Sequence, residues 1–200
     1  MSVMTPTSVE SASYWHAVAL LRLERSAGLA ALESEFAHGG VPIALRGPLR
    51  GRFLASTLGH GFDPPFEALT AVWLPWKGKT FEPDAEQGRN LFSPGTRRLM
   101  RVTLPKYRTT TDRSGACGAF RFITSTGPSA FSPGVDVLRI DYRDVPENPS
   151  WPIRRILDEL VMIEDGLYLG QALMEFRGTL RRAAWFSLEW QPIPAVAQAS

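Results

Sequence analysis

Ile156-Leu-Asp158-Glu159-Leu-Val-Met-Ile-Glu164-Asp165-Gly166-Leu167-Tyr168-Leu-Gly170-Gln-Ala-Leu-Met-Glu-Phe176 decides the fold. Two apolar runs of strand length meet at Asp165-Gly166, and Asp-Gly between such runs is the strongest short hairpin signal a sequence carries. The spacing therefore predicts strands over Ile156–Glu164 and Leu167–Phe176. Side chains alternate along a strand, so Asp158 shares a face with Ile156, Leu160 and Met162, and Tyr168 shares one with Gly170.

Outward from this hairpin the same grammar repeats. Residues 51–58, 79–82, 90–93, 97–106, 116–125, 136–143 and 182–190 read as further short strands, with Gly, Pro, Asp or Asn in most gaps. Short strands at this spacing predict a mainly β fold, and closure into a lipocalin-like antiparallel barrel of about 8–10 strands would remove exposed edges. Ahead of the strands, residues 9–37 carry Tyr14, Val18, Leu21, Leu29, Leu32 and Phe36 near helical spacing, and Gly39-Gly40 follow where a helix would stop. Gly28 is a natural point of division, giving one long helix or two short ones. A short helix over residues 66–73 is entered from Asp63-Pro64-Pro65. The expected organisation is a tail and helical cap over residues 1–40, with the helix plugging one barrel mouth. The barrel occupies 41–190 and a flexible tail 191–200.

Composition limits the function classes. The chain has 200 residues, 44% of them hydrophobic and 21% charged, which is the make-up of an ordinary globular domain. Its 22 Lys and Arg against 20 Asp and Glu leave a formal charge of +2, and the Arg residues are scattered. A nucleic-acid surface would be a basic cluster with interleaved aromatics, so nucleic acid is not an expected partner. The single Cys117 excludes an internal disulfide and a cysteine-based zinc site, and reads as a small buried hydrophobe. No run of eighteen apolar residues predicts a membrane span, and residues 1–13 lack a secretory pattern, so a cytoplasmic location is expected. His16, His38 and His60 follow no ligand spacing, so neither a metal nor an obligatory cofactor is expected. A single axial histidine would still suffice for haem, with His60 the first candidate.

Three stretches hold candidate chemistry. In Trp73-Leu-Pro-Trp76-Lys77-Gly78-Lys79, Trp76 is a candidate pocket wall, with Lys77 or Lys79 meeting an acidic head group at the rim. The same residues also read as a tight turn at Gly78 with tryptophans packed as core. Around Asp141-Tyr142, residues Arg139, Asp141 and Arg143 share one strand face. Turned inward, Arg139 and Asp141 would be a buried charged pair; turned outward, a solvated row. Asp158, among apolar neighbours, suits general acid or base work. It equally suits a structural pair with Arg121 or Arg139, and Glu159 takes its place if the register slips by one.

Trp76-Lys-Gly-Lys79-Thr-Phe81, the strand carrying Asp and Arg, Leu169-Gly170 and the closing Trp185-Phe186-Ser-Leu188-Glu189 together resemble the lipocalin-like bacterial proteins of the GXWXG/DUF4334 kind. The resemblance runs from about Gly51 to Glu189, without the Gly-x-Trp-x-Gly signature itself. It implies a barrel that binds a small apolar ligand.

The leading expectation is a barrel holding a lipid-like or polycyclic molecule. Trp76, Tyr142, Tyr168 and Trp185 would line it, with Lys79, Arg121 or Arg139 at the ligand's polar end. The alternative is a cofactor-independent isomerase, lyase or cyclase working through Asp158, Asp141 and Tyr142. A haem-binding barrel and a docking role for the N-terminal helix complete the readings.

Overall fold

A computed structural model describes residues 9–43, 45–57, 76–83, 86–112 and 115–190. Two helices, α1 (Val9–Leu23) and α2 (Arg25–His38), precede β1 (Gly47–Ser56), β2 (Trp76–Phe81) and β3 (Gln87–Phe92). A short helix, α3 (Thr96–Thr103), leads to β4 (Thr110–Thr111), β5 (Cys117–Pro128) and β6 (Asp136–Asp141). The chain ends in β7 (Ile156–Glu164), β8 (Leu167–Phe176) and β9 (Thr179–Trp190). Strand order β3-β2-β1-β9-β8-β7-β6-β5, with β3 pairing β5, closes eight strands into a barrel, and β4 adds a short strand beside β5. Every pairing is antiparallel. The expected mainly β barrel with an N-terminal helical segment is the architecture observed.

The founding hairpin falls where its sequence places it. Glu164 pairs with Leu167 across Asp165-Gly166, and Gly166 takes φ +82°, which glycine adopts without steric cost. Residues Leu157 to Val161 are all buried, because both faces of β7 are covered. Leu160, with Leu138, Ile140, Tyr168 and Leu188, points into the barrel core. Val161, with Val137, Leu169 and Trp185, packs outward against Tyr14, Leu32 and Phe36 of the helices.

That outer packing corrects the expected plug: the helix pair lies on the outside of the wall. The division between the helices also differs from expectation. It falls at Glu24 (φ −145°, ψ 99°), while Gly28 sits inside α2. Gly28 is there for close approach, since a Cβ would come within 2.4 Å of the Leu21 backbone nitrogen in α1.

A second correction concerns residues 97–106. They form α3 and a turn, entered through Ser93-Pro94-Gly95, with Thr96 and Met100 buried four residues apart and Val102 80% exposed. A bulge between Phe53 and Ala55 breaks the alternation in β1, so Phe53 opposes Phe186 and Ala55 opposes Trp185 on the other face. The expected helix at 66–73 and both tails lie outside the described residues.

Candidate functional site

Within the barrel, four polar side chains meet. Lys79 of β2 stands opposite Asn90 of β3, and Asp158 of β7 stands opposite Ile140 of β6. Tyr142 follows directly after β6. Lys79 is 2% exposed, Asp158 5%, Asn90 7% and Tyr142 3%. The Lys79 Nζ donates to Asp158 Oδ2 at 2.7 Å, Asn90 Oδ1 at 2.9 Å and the Tyr142 hydroxyl at 2.5 Å. Those three bonds use every proton of an ammonium. The Tyr142 hydroxyl donates to Asp158 Oδ2 at 2.9 Å and accepts from Asn90 Nδ2 at 2.9 Å. Trp76 Nε1 donates to Asn90 Oδ1 at 3.0 Å.

Strained backbone positions Asn90. A bulge in β5 carries Phe120 at φ +51°, a region costly for a bulky residue. Its carbonyl accepts from Asn90 Nδ2, and the Tyr107 hydroxyl accepts from its N–H. Bulges of this kind re-aim side chains beside functional sites.

Rings enclose the amine. The centroids of Trp76, Phe122, Tyr142 and Phe186 lie 5.3 to 5.7 Å from Nζ. Three of these rings lean on glycines of a neighbouring strand. A Cβ on Gly51 would meet Trp76 at 2.4 Å, one on Gly88 would meet Phe122 at 2.5 Å, and one on Gly170 would meet Phe186 at 2.2 Å. The glycines thus let the aromatic wall lie flat around Lys79.

Small side chains line the wall on the Asp158 side. Ala172 of β8 stands opposite Asp158, and Ala184 of β9 stands opposite Ala172. Ala172 and Trp76 are only partly buried although both pack on the inner core. Asp158 takes both of its bonds at Oδ2; among the described residues Oδ1 takes none.

Burial sets the protonation behaviour. Desolvation pushes the Lys79 amine below its ordinary value, against the opposing pull of Asp158. Burial, reinforced by the Asp158 charge, raises the Tyr142 hydroxyl well above its ordinary range. Tyr142 therefore stays a proton donor at neutral pH.

No family model matches the chain, and no curated protein matches it. Among solved structures it is similar to a protein from Thermomonospora curvata, at 13% identity and a TM-score of 0.47, over 88% of this chain and 99% of that one. At that level the likeness bears on neither ligand nor activity.

The structure brings Trp76, Lys79, Tyr142 and Asp158 together and leaves the other candidates apart. Lys79 is not at a rim, and it is Asp158's partner in place of Arg121 or Arg139. Asp141 faces out and accepts from the Arg143 N–H. Arg139 also faces out, bonding the Pro128 carbonyl, so Arg139 and Asp141 form no lumenal pair. Arg121 bonds Gln87 and borders an outer hollow of about 390 Å³ with Arg89, Lys106 and Arg108. Trp185 is fully buried outside the barrel, its ring 5.5 Å from Phe36 of α2. Tyr168 faces the lumen near the Asp165-Gly166 turn, with no hydrogen bond to the cluster. His16 and His38 lie exposed on the outer helices, and His60 lies outside the described residues. No group of three or more His, Cys, Asp and Glu suited to a metal occurs among the described residues. No helix among them is long and apolar enough to cross a membrane. Asn90 escaped the sequence reading, because nothing but the β2–β3 register places it across from Lys79.

Proposed function

We propose that the barrel binds a small, largely apolar molecule whose single polar end meets Lys79 and Asp158. The observation that carries this reading is the ion pair buried inside an aromatic-walled barrel. Removing two charges from water costs several kcal/mol per ion, and apolar residues of similar volume would often serve stability as well or better. A cluster kept under those terms, beside the small side chains of Ala172 and Ala184, suits a recognition site. The amine, carboxylate and phenol of the cluster would meet the ligand's polar end, and the rings would hold its body. The resemblance to the GXWXG/DUF4334 proteins belongs to the same proposal.

The acid–base reading retains support from Asp158 and Tyr142, which share a hydrogen bond inside the lumen. Asp141 plays no part in it.

Uptake of a fluorescent long-chain alcohol, followed by titration and by native mass spectrometry, tests the binding reading. The protein is expected to bind one equivalent, and Ala172→Trp, which fills the space beside Asp158, is expected to abolish binding. No uptake by the unaltered protein, or full uptake by Ala172→Trp, would overturn it.

A further inference from the structure

The cation placed in the lumen is a lysine in a chain that rarely uses lysine. Only Lys77, Lys79 and Lys106 occur among its 22 basic residues, the rest being Arg. Arg cannot lose its proton in a protein, whereas a buried Lys readily does, and that is how reactive amines are made. Lys77 and Lys106 are exposed, and Lys79 is enclosed by rings with a carboxylate at 2.7 Å and a phenol at 2.5 Å.

We propose that Lys79 is a nucleophilic amine that captures an aldehyde or ketone in the lumen as an imine, with Asp158 and Tyr142 moving the protons. This rests on the binding reading above and names the polar end of the ligand as a carbonyl. The ammonium first passes a proton to Asp158 Oδ2. The amine lone pair then adds to the carbonyl carbon while the C=O pair moves to oxygen, which takes the Tyr142 proton. Asp158 and Tyr142 share a hydrogen bond, so the proton Asp158 holds can restore Tyr142. The nitrogen of the adduct gives its extra proton to the carboxylate. The carbinolamine hydroxyl leaves with that proton as water, and the nitrogen's second proton passes to the freed Asp158 carboxylate as C=N forms. The sum is one carbonyl compound and one amine giving one imine and one water, with no oxidant, reductant or cofactor in the balance.

The approach is from the Ala172 side, where Ala172 and Ala184 carry only methyl groups and Asp158 Oδ1 is unengaged among the described residues. The lowered proton affinity of Lys79 points the same way. Each unit by which an amine falls below an exposed lysine's pKa of about 10.4 raises its neutral fraction at pH 7 about tenfold.

The test is reductive trapping of the whole chain at pH 7 with cyanoborohydride and four probes: propanal, decanal, 2-decanone and 2-naphthaldehyde. Peptide mapping then locates the adduct. With two other lysines, both exposed, the protein carries its own controls. Labelling of Lys79 at least tenfold over Lys77 and Lys106 is expected, and it should persist in Lys77→Arg/Lys106→Arg and fall in Asp158→Asn and Tyr142→Phe. Adducts confined to Lys77, Lys106 and the N-terminus for all four probes would overturn the proposal. If the fluorescent long-chain alcohol still binds in that case, the binding reading survives; if it does not, both fall.

Discussion

Lys79→Met, Asp158→Leu and the double variant form a cycle that measures what the lumenal ion pair does for stability. Lys79→Met removes three hydrogen bonds and leaves a carboxylate buried at 5% exposure. Orphaning one member of a buried pair costs about 3–5 kcal/mol. Tyr142 still donates to Asp158 Oδ2, so the lower end, about 3 kcal/mol, is expected at pH 7. Against a total stability of about 5–15 kcal/mol the variant should still fold. Asp158→Leu orphans the amine instead. Its lone Lys79 can shed its proton, and the unfolded chain then binds more protons than the folded one below an ordinary lysine pKa. Stability must rise with pH in that window, so the loss should be larger at pH 5 than at pH 9. The double variant, with two apolar side chains facing each other, should lie within about 1 kcal/mol of the unaltered protein. Urea unfolding followed by tryptophan fluorescence at pH 5, 7 and 9 reads all four corners. Additive single effects, or a Lys79→Met loss under about 1 kcal/mol at pH 7, would refute the reasoning.

Gly28→Ala sets two effects against each other: helix propensity favours Ala by about 1 kcal/mol, but the added Cβ would come within 2.4 to 2.6 Å of the Leu21 backbone in α1. Backbone cannot rotate away, so a fall in Tm is expected, and a rise would show that the helix pair yields easily. Tyr14, fully buried beneath α1, has its hydroxyl pushed up to about 12 by burial. The unfolded chain ionises at about 10, so the protein should lose about 2–3 kcal/mol between pH 10 and 12. Tyr14→Phe should show that much less alkaline loss, and an equal fall in both proteins would refute the assignment.

The barrel was legible because its strongest signals are local. Asp165-Gly166 and the paired runs around it need no distant information, and β7 and β8 fall where the sequence reading sets them. Residues 97–106 were not legible as a helix, since apolar residues at 100, 102 and 104 fit alternation as well as a helical turn, and burial of Thr96 and Met100 decides between them. The site was half legible. Asp158 can be placed inward from its neighbours on β7 and Trp76 as a pocket wall, but the sequence sets Lys79 at a rim and the structure buries it. Their meeting could not be read, because Lys79 and Asp158 are 79 residues apart and join only when the barrel closes. The outward turn of Arg139, Asp141 and Trp185 has the same origin: each sits on a strand whose two faces are both chemically plausible as interior until the helices cover one of them.

Asp158 and Glu159 show how one register separates two uses of the same chemistry. They are adjacent and both buried, yet a strand's alternation sends one inward and the other out. Glu159 accepts from Ser129 Oγ, the Ala130 N–H and Gln171 Nε2, so both of its oxygens are engaged. Gln171 in turn accepts from Arg182, which bonds Glu33 of α2 and lies 4.3 Å from the Trp185 ring. That chain ties the β5–β6 loop and α2 to the outer wall, and every member is spent on structure. Asp158 faces a small-residue wall with one oxygen unengaged and a proton-bearing amine and phenol on the other. A carboxylate whose bonds are all taken by its own fold stabilises that fold; one with an unengaged oxygen beside two exchangeable protons keeps the capacity to bond something else.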